Sequence, residues 1–361
     1  MLDAPAPPRF KHHAVLEEIE RRIFTGVYPP GGRLPSESLL TREFETSRIT
    51  VGRAMQELQR RGLVERRAGS GTYVKSGTER QSFGLLIPGL GETEIFEPIC
   101  RGIAEALPPL GPALLWGNAP SGAEQAKQAL ALCDQFVERR VAGVFFAPLE
   151  RVPDAAEVNA EIGERLRRAH IPVVLLDRAI DPYPVPPAFD IVSLDHSRAG
   201  FMAAAHLLER GARRLAFWSL AGQADSVEAR ASGVQAAVLR HPGAVVECFA
   251  FQELDDEPVR QADQRFRPDA IVCANDRLAA EVMRLLRGWN RRIPADVMLA
   301  GIDDTPYAAF LPSPLTTIRQ PCRDIGRAAL HAMLDRLAHP DLPPRQILLA
   351  GQLVVRESSG G

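Results

Sequence analysis

The stretch Thr46-Ser47-Arg48-Ile49-Thr50-Val51-Gly52-Arg53-Ala54-Met55-Gln56-Glu57-Leu58 has the pattern of a short amphipathic helix with its own start signal. Thr46 or Ser47 offers an N-cap hydroxyl, and Val51, Ala54, Met55 and Leu58 fall at i, i+3, i+4 and i+7 on one face before Gly62 closes the turn. The opposite face presents Arg48, Thr50, Gly52, Arg53 and Gln56. Upstream, periodicity predicts a helix over 12–25, with Val15, Leu16, Ile19 and Ile23 on one side and Gly26 at its end. Pro29-Pro30-Gly31-Gly32 cannot be helical, and Ser36 then caps a second short helix carrying Leu39, Leu40 and Phe44. Downstream, alternating runs over 63–67 and 72–75 flank Ala68-Gly69-Ser70-Gly71 and predict a β-hairpin with a small, flexible tip. Three helices and a hairpin make a winged helix-turn-helix.

The charge is divided in the same place. Residues 1–80 hold 14 basic and 10 acidic side chains, a net of +4, which leaves −6 for the rest of a chain whose total is −2. A basic head on an acidic body points to nucleic acid as the partner of the head. The recognition physics suits it: a short helix enters the major groove, where Arg48 and Arg53 can donate paired bonds to guanine, while helix N-termini and basic side chains hold phosphates. By pattern alone, a small scaffold or protein-docking module remains the alternative. The linked motifs Gly31-Gly32-Arg33-Leu34-Pro35-Ser36-Glu37, Ser47-Arg48-Ile49-Thr50-Val51 and Arg67-Ala68-Gly69-Ser70-Gly71-Thr72-Tyr73-Val74 resemble the GntR family of bacterial transcription regulators along the whole DNA-binding domain. The resemblance implies that Ser36, Ser47, Arg48 and Thr50 contact operator DNA, and that Gly69 at the wing tip approaches the minor groove. One position departs from the family pattern: Gly52, followed by Arg53, stands where an arginine is common, so either the base preference is shifted or the contact is supplied by another residue.

The polar segment 76–82 reads as a linker, so the expected division is a DNA-binding domain over 1–75 and a larger domain over 83–361. Beyond the linker, apolar runs over 83–87, 113–116, 143–147, 173–176, 191–194, 215–220, 245–249, 270–273 and 297–301 alternate with helical segments. Such alternation predicts α/β architecture with parallel sheets covered by helices on both faces, and nine runs in about 275 residues fit two doubly wound lobes. Ligands of such sheets bind beyond the C-terminal strand ends, which here carry Pro88 to Phe96, Asn118, Pro148, Asp177-Arg178, Asp195, Gln223 to Arg230, Asn275-Asp276 and Asp303-Asp304. Asp, Asn and Arg with an aromatic such as Phe96 suit a polyhydroxylated ligand, because paired donors and acceptors replace water around each hydroxyl. Asp195 and Asp276 fit helix N-caps instead, and Arg230 can simply neutralise a carboxylate.

Three further stretches carry a second resemblance: Ile171-Pro172-Val173-Val174-Leu175-Leu176-Asp177-Arg178, Ala274-Asn275-Asp276-Arg277-Leu278-Ala279, and Gly301-Ile302-Asp303-Asp304-Thr305 continuing to Pro314-Leu315-Thr316-Thr317-Ile318-Arg319-Gln320-Pro321. Residues 83–356 are similar to the LacI-type, periplasmic-binding-protein-like sensor domains. The resemblance implies a two-lobed body with Asp177, Arg230, Asn275, Asp303 and Gln320 facing an effector between the lobes, and Phe96 is a further candidate there. A GntR-type head on a LacI-type body is the architecture of the arabinose repressor group. Together the two resemblances imply a homodimeric repressor of carbohydrate-utilisation genes, released from a palindromic operator by a small sugar. A regulator answering a non-sugar metabolite such as a nucleoside, and a sugar-binding protein with no regulatory role, stay open as alternatives. The linker lacks an apolar hinge-helix pattern, so minor-groove contact through a hinge is not expected.

Other classes fit poorly. GntR-type heads also occur on aminotransferase-like bodies, which need a lysine for the pyridoxal Schiff base, and past the linker only Lys127 remains. Pro88-Gly89-Leu90-Gly91-Glu92-Thr93-Glu94 lacks the third glycine of a dinucleotide loop, and its acids repel a pyrophosphate. The histidines form no metal-ligand spacing, so no cofactor, metal or enzymatic activity is expected, and a lone histidine such as His196 reads as a surface or core residue. Cys100, Cys133, Cys248, Cys273 and Cys322 are odd in number, far apart and expected to be buried, reduced thiols. No apolar run approaches the roughly 18 residues that span a bilayer. The first residues, Met1-Leu2-Asp3-Ala4-Pro5, lack a basic head followed by an apolar core, so the expected address is the cytoplasm.

Overall fold

The computed structural model of the chain describes residues 11–24, 27–75, 82–88, 90, 94–108, 111–117, 124–181, 184–222 and 224–361. In the head, α1 (Lys11–Phe24), α2 (Glu37–Glu43) and α3 (Arg48–Arg60) precede the antiparallel pair β1 (Val64–Arg67) and β2 (Gly71–Val74). Both serines act as caps: Ser36 Oγ accepts from Leu39 N at 3.3 Å and Ser47 Oγ from Thr50 N at 3.2 Å, each bond worth about 1 kcal/mol. The stripes on α1 and α3 face each other, and Val15, Leu16, Ile19, Ile23, Val51, Ala54, Met55 and Leu58 are buried with Leu34, Leu40, Val64 and Val74 in one core. Each large side chain removed from water there contributes roughly 1.5–3 kcal/mol. On α2 the apolar set divides: Leu40 is fully buried, while Leu39, about 100° away around the helix, is 53% exposed. Phe44 sits just past the helix as its C-cap. At the hairpin Gly69 holds φ +70°, and Gly71 holds φ +125° with the Arg33 guanidinium in the space a Cβ would fill.

The body contains two six-stranded sheets. The elements of the first lobe begin with β3 (Ser82–Leu86), α4 (Phe96–Ala106), β4 (Ala113–Trp116), α5 (Gln125–Glu138), β5 (Gly143–Phe146), α6 (Ala155–Arg168), β6 (Val173–Leu176) and β7 (Asp190–Leu194). The chain then crosses into the second lobe: α7 (His196–Glu209), β8 (Arg214–Leu220), α8 (Asp225–Val238), β9 (Val245–Phe251), α9 (Asp256–Phe266), β10 (Ala270–Cys273), α10 (Asp276–Gly288), β11 (Met298–Asp303) and β12 (Thr316–Arg319). It returns through α11 (Cys322–Ala338) and β13 (Gln346–Leu349) to the first lobe and ends with β14 (Gln352–Val354) in the second. The sheet orders are β13-β7-β6-β5-β3-β4 and β14-β12-β11-β10-β8-β9. In the second sheet β9, β8, β10, β11 and β12 are parallel and β14 closes the edge antiparallel.

All nine apolar runs of the body are strands, with ends displaced by two residues at most. β12, β13 and β14 were not among them, because they are short and carry polar residues. In β12, Thr316 and Thr317 are fully buried, their hydroxyls held by Ser359 Oγ at 2.7 Å and Asp276 Oδ1 at 2.6 Å. Helix pairs close each lobe through glycines. A Cβ on Gly102 of α4 would lie 2.2 Å from Arg323 O and one on Gly326 of α11 2.1 Å from Ile99 O. In the second lobe a Cβ on Gly200 of α7 would lie 2.0 Å from Arg230 O, and one on Gly233 of α8 1.9 Å from Ser197 O. Backbones therefore touch at both crossings, which no larger residue permits.

The cysteines depart partly from expectation. Cys133 and Cys273 are buried and Cys100 and Cys322 half-buried, whereas Cys248 is exposed on a strand of the second sheet. Burial pushes the Cys133 thiol up to about 11 and Cys273 well above its ordinary value, which keeps both protonated. Among the described residues no helix is long and apolar enough to cross a membrane.

Candidate functional site

On the head, the first turn of α3 is fixed by its cap. Ser47 Oγ lies 2.9 Å from Thr50 Oγ1, so the two hydroxyls are one polar unit at the helix N-terminus. Arg48 is exposed and its Nη2 donates to Ser38 Oγ of α2 at 3.1 Å, which ties the guanidinium to the preceding helix. Arg53 points elsewhere, about 140° further around the helix, where it lines a hollow of about 580 Å³ with His12 and Leu16 of α1 and Gln56, Glu57, Arg60 and Arg61 of α3. Arg48 and Arg53 make no ion pair among the described residues, while Arg60, Arg61, Arg66 and Arg67 each hold a glutamate. The two arginines singled out from the pattern are thus among those whose charge is not already neutralised. Ile49, which the sequence reading passed over, is 72% exposed between them. An isoleucine left in water at the start of a capped helix was legible as a break in the amphipathic pattern.

In the body, a cavity of about 380 Å³ lies where the ends of strands from both sheets meet. Asp177 enters it directly after β6, buried, with φ +69°. Arg178 beside it is also buried; its Nη1 pairs with Glu150 Oε1 at 2.5 Å, and its guanidinium stacks over the Phe96 ring at 5.4 Å. From the second lobe comes Arg230 of α8, buried, donating through Nη1 to Ala274 O at 2.5 Å and through Nε to His196 Nδ1 at 3.2 Å. Asn275 caps α10, its Oδ1 accepting from Leu278 N at 2.8 Å. Asp303 closes β11 with its Oδ1 3.8 Å from Arg230 Nη2. The lobes are bridged beside the cavity by Ala179 N to Asp225 Oδ1 at 3.2 Å, Ala224 N to Glu150 Oε2 at 3.1 Å and Arg151 N to Gly222 O at 3.2 Å.

Four of the six expected effector residues, Asp177, Arg230, Asn275 and Asp303, line this cavity together. Gln320 lines an adjoining hollow of about 360 Å³ that shares Glu94, Ile95 and Asp303, and its Nε2 donates to Asp303 Oδ1 at 2.6 Å. Phe96 departs from expectation: it is only 2% exposed and backs Arg178 from beneath instead of lining the cavity, since its ring face is occupied by the guanidinium. Asp195 is the cap it was read as, accepting from Arg198 N at 3.0 Å. Asp276 is not; Asn275 takes the cap, and Asp276 is fully buried, accepting from Thr305 N and Thr317 Oγ1. Asp304 pairs with Arg319 at 2.6 Å and Arg356 at 2.5 Å. Asn118, Gln223 and the linker 76–81 lie outside the described residues. Missed by the sequence reading were Glu150, three residues past an expected strand, and the role of Arg178 as its buried partner.

The electrostatics differ across the cavity. Burial would raise the Asp177 carboxyl, but the His196 ring and the charges of Arg178 and Arg230 hold it well below the usual carboxylate range. Asp303 goes the other way, pushed up to about 8 by burial and by the nearby Asp276 and Asp177 despite Arg230 and Gln320. Three buried polar atoms around the cavity and its annex are weakly satisfied: Asp177 Oδ1 has only His196 Nε2 at 3.3 Å, Arg178 Nε only Asp177 Oδ2 at 3.4 Å, and Gln320 Oε1 has no hydrogen-bond partner. Buried groups of this kind are normally fully satisfied, so hydrogen-bonding capacity is left over at the edge of the cavity.

Comparison with known proteins agrees with both halves. Residues 11–74 match the family of bacterial regulatory proteins of the gntR type, and residues 204–359 match the periplasmic binding protein-like domain. The arabinose metabolism transcriptional repressor of Geobacillus stearothermophilus is 26% identical over 97% of both chains. Its counterpart from Halalkalibacterium halodurans is 25% identical over 97% of this chain and 96% of its own. Among solved structures, the transcriptional regulator CelR in complex with cellobiose superposes with a TM-score of 0.64 and 26% identity, covering 86% of this chain and 90% of that one. These matches belong to regulators and not to enzymes. The chain joins a gntR-type DNA-binding domain to a LacI-type, periplasmic-binding-protein-like sensor domain, the organisation of a transcription regulator, and is similar to the arabinose metabolism repressors.

Proposed function

We propose that this regulator is a homodimeric repressor of carbohydrate-utilisation genes, released from a palindromic operator when a small sugar binds between its lobes. In this reading residues 1–75 form the DNA-binding domain, 76–82 the linker and 83–361 the effector-binding and dimerisation domain. Ser36, Ser47, Arg48, Thr50, Arg53 and Gly69 meet operator DNA in the cytoplasm. Asp177, Arg230, Asn275, Asp303 and Gln320 meet the effector, with Phe96 holding Arg178 from behind. Relatives named for arabinose and a structural neighbour holding cellobiose support the ligand class. The observation that carries it is the set of buried atoms with hydrogen-bonding capacity left over: Gln320 Oε1, which has no partner, and Asp177 Oδ1 and Arg178 Nε, whose contacts are long at 3.3 and 3.4 Å. Interleaved acceptors and donors suit vicinal hydroxyls, each of which both gives and takes a hydrogen bond. The 86% exposed Phe310 gives the second lobe an apolar contact that pairing would bury.

Sugar binding couples to operator release by linkage: a ligand that favours one lobe closure shifts the head pair only by its differential affinity for the two states. A thermal-shift screen of the whole protein against L-arabinose, D-ribose, maltose, cellobiose, sugar phosphates, uronic acids and nucleosides tests the reading. A ligand at about 100 times its Kd stabilises the fold by roughly 2.7 kcal/mol. A selective sugar shift, followed by sugar-dependent loss of operator binding, supports the proposal. A shift with nucleosides alone transfers the site to the alternative, and silence across the sugars removes the carbohydrate assignment.

A further inference from the structure

We propose that His196 is the positioning residue of the effector cleft: its ring grips one ligand-facing residue from each lobe and sets the two in register. The inference rests on the cleft being the effector site. His196 is the first residue of α7, directly after the chain crosses from β7 into the second lobe, and it is buried. Its Nδ1 accepts from Arg230 Nε at 3.2 Å, and its Nε2 lies 3.1 Å from Asp177 O and 3.3 Å from Asp177 Oδ1. A guanidinium is a donor only, so Nδ1 must carry the lone pair and the ring proton must sit on Nε2. That single tautomer satisfies both partners: an acceptor toward Arg230 and a donor toward Asp177. Any other protonation state faces an N–H against the Arg230 N–H.

The helix crossing enforces the pairing. The backbones of α7 and α8 touch at Gly200 against Arg230 O and at Gly233 against Ser197 O. The backbone of Arg230 is thereby held against Gly200, one helical turn along α7 from His196. Arg230 Nη1 is fixed on Ala274 O, which leaves Nη2 facing Asp303 across the cavity. Asp177 is pinned on the other side of the ring through its carbonyl at 3.1 Å, and its Oδ1 has only the longer 3.3 Å contact to the same Nε2, which leaves it acceptor capacity for a ligand. Without His196, Arg230 is free to swing onto Asp177, and the two groups that should meet the ligand would neutralise each other. The ring therefore separates a donor from an acceptor while orienting both.

The test uses three replacements in the full-length protein and two readouts. His196→Asn keeps an acceptor near the Nδ1 position, His196→Gln keeps a donor near the Nε2 position, and His196→Phe keeps only ring volume. Calorimetric titration with whichever of L-arabinose, D-ribose, maltose or cellobiose binds the wild type is expected to show His196→Phe weaker by on the order of 10- to 100-fold. Each polar variant should recover part of that loss, with operator affinity in the absence of sugar unchanged. Nitrogen NMR of the histidine rings, assigned by the His196→Gln spectrum, should show the Nε2–H tautomer and needs no ligand. Equal sugar affinity in wild type and His196→Phe, or an Nδ1–H or doubly protonated ring, overturns the proposal. If no sugar binds the wild type, the carbohydrate reading fails separately and the ring tautomer still decides the role of His196. If His196→Phe does not fold, the two polar variants carry the affinity comparison.

Discussion

Gln320 Nε2 donates to Asp303 Oδ1 at 2.6 Å, while the other end of the same amide, Oε1, is buried with no partner. The bond orients the amide, with its NH₂ side toward a carboxyl oxygen that accepts. It leaves the amide oxygen as unused acceptor capacity in a residue that lines the annex of the cavity, and it holds Asp303, which stands 3.8 Å from Arg230 Nη2. Gln320 stands where the chain leaves β12 to return to the first lobe, so this contact joins a crossover segment to the ligand-facing end of β11.

The buried Asp303 predicts a pH dependence. Burial and neighbouring carboxylates raise its folded-state pKa from 3.8 to about 8, so the folded state binds the proton more tightly than the unfolded chain. Its contribution to stability is complete below the unfolded value and is lost as pH rises through the folded one. Urea unfolding of wild type and Asp303→Asn across that window should show the wild-type advantage shrinking with rising pH, by at most about 1.4 kcal/mol per pH unit. A difference that stays constant, or grows with pH, would show that Asp303 is ionised throughout.

Much of this was legible from the chain alone, and the residues that were not share a physical reason. Periodicity located α1 and α3 because one face of each is continuously apolar, and it located the nine apolar strands because parallel strands are covered on both faces. That Asp177, Asn275 and Asp303 line one cavity followed from their positions just past strands and from the resemblance to a known pattern, which also pointed to Arg230 within α8. Phe96 failed because spacing reports proximity to a site and not whether the ring face is already taken by Arg178. His196 and Glu150 were missed because their importance lies in long-range pairing, with Arg230 and Arg178, which no local window contains. Asp276 was misread for a similar reason: cap position and buried network differ by one residue, and Gly301, where a Cβ would lie 2.2 Å from Asp276 Oδ1, is distant in sequence.

On the head, Arg48 and Arg60 make a matched pair of substitutions. Arg48 carries no ion pair among the described residues and is steered by Ser38, whereas Arg60 is held by Glu57 at 2.8 Å. Arg48→Ala should weaken specific operator binding by about 1–3 kcal/mol and relax preference at one base position, as loss of a bidentate guanine contact does. Arg60→Ala should leave it within error. A mobility-shift titration at fixed salt decides, and equal losses in both variants would mean that the contribution of Arg48 is general charge.

Phe310 is 86% exposed, an unusual position for a phenylalanine. If the second lobe pairs with a second copy there, Phe310→Asp places a charge in the interface and should shift sedimentation from dimer toward monomer at micromolar concentration. Operator affinity should fall with it, because a single head reads only one half-site. An unchanged dimer would move the interface away from this residue.

Gly200 offers the most direct test of how the fold builds the cleft. A Cβ there would stand 2.0 Å from Arg230 O, far inside contact distance, and the obstacle is backbone that cannot rotate away. Gly200→Ala must therefore push α7 from α8, at a cost of about 1–3 kcal/mol for overpacking and more if the crossing is rigid. Separating the helices also lengthens the 3.2 Å bond from Arg230 Nε to His196 Nδ1, so ligand affinity should fall further than stability alone explains. Gly102→Ala is the control, since its obstacle is Arg323 O at the α4–α11 crossing in the other lobe. Urea unfolding should show comparable destabilisation in both variants, and ligand titration should show the larger loss in Gly200→Ala only. Equal affinity losses would mean that lobe packing as a whole, and not the seat of Arg230, sets the affinity of the cleft.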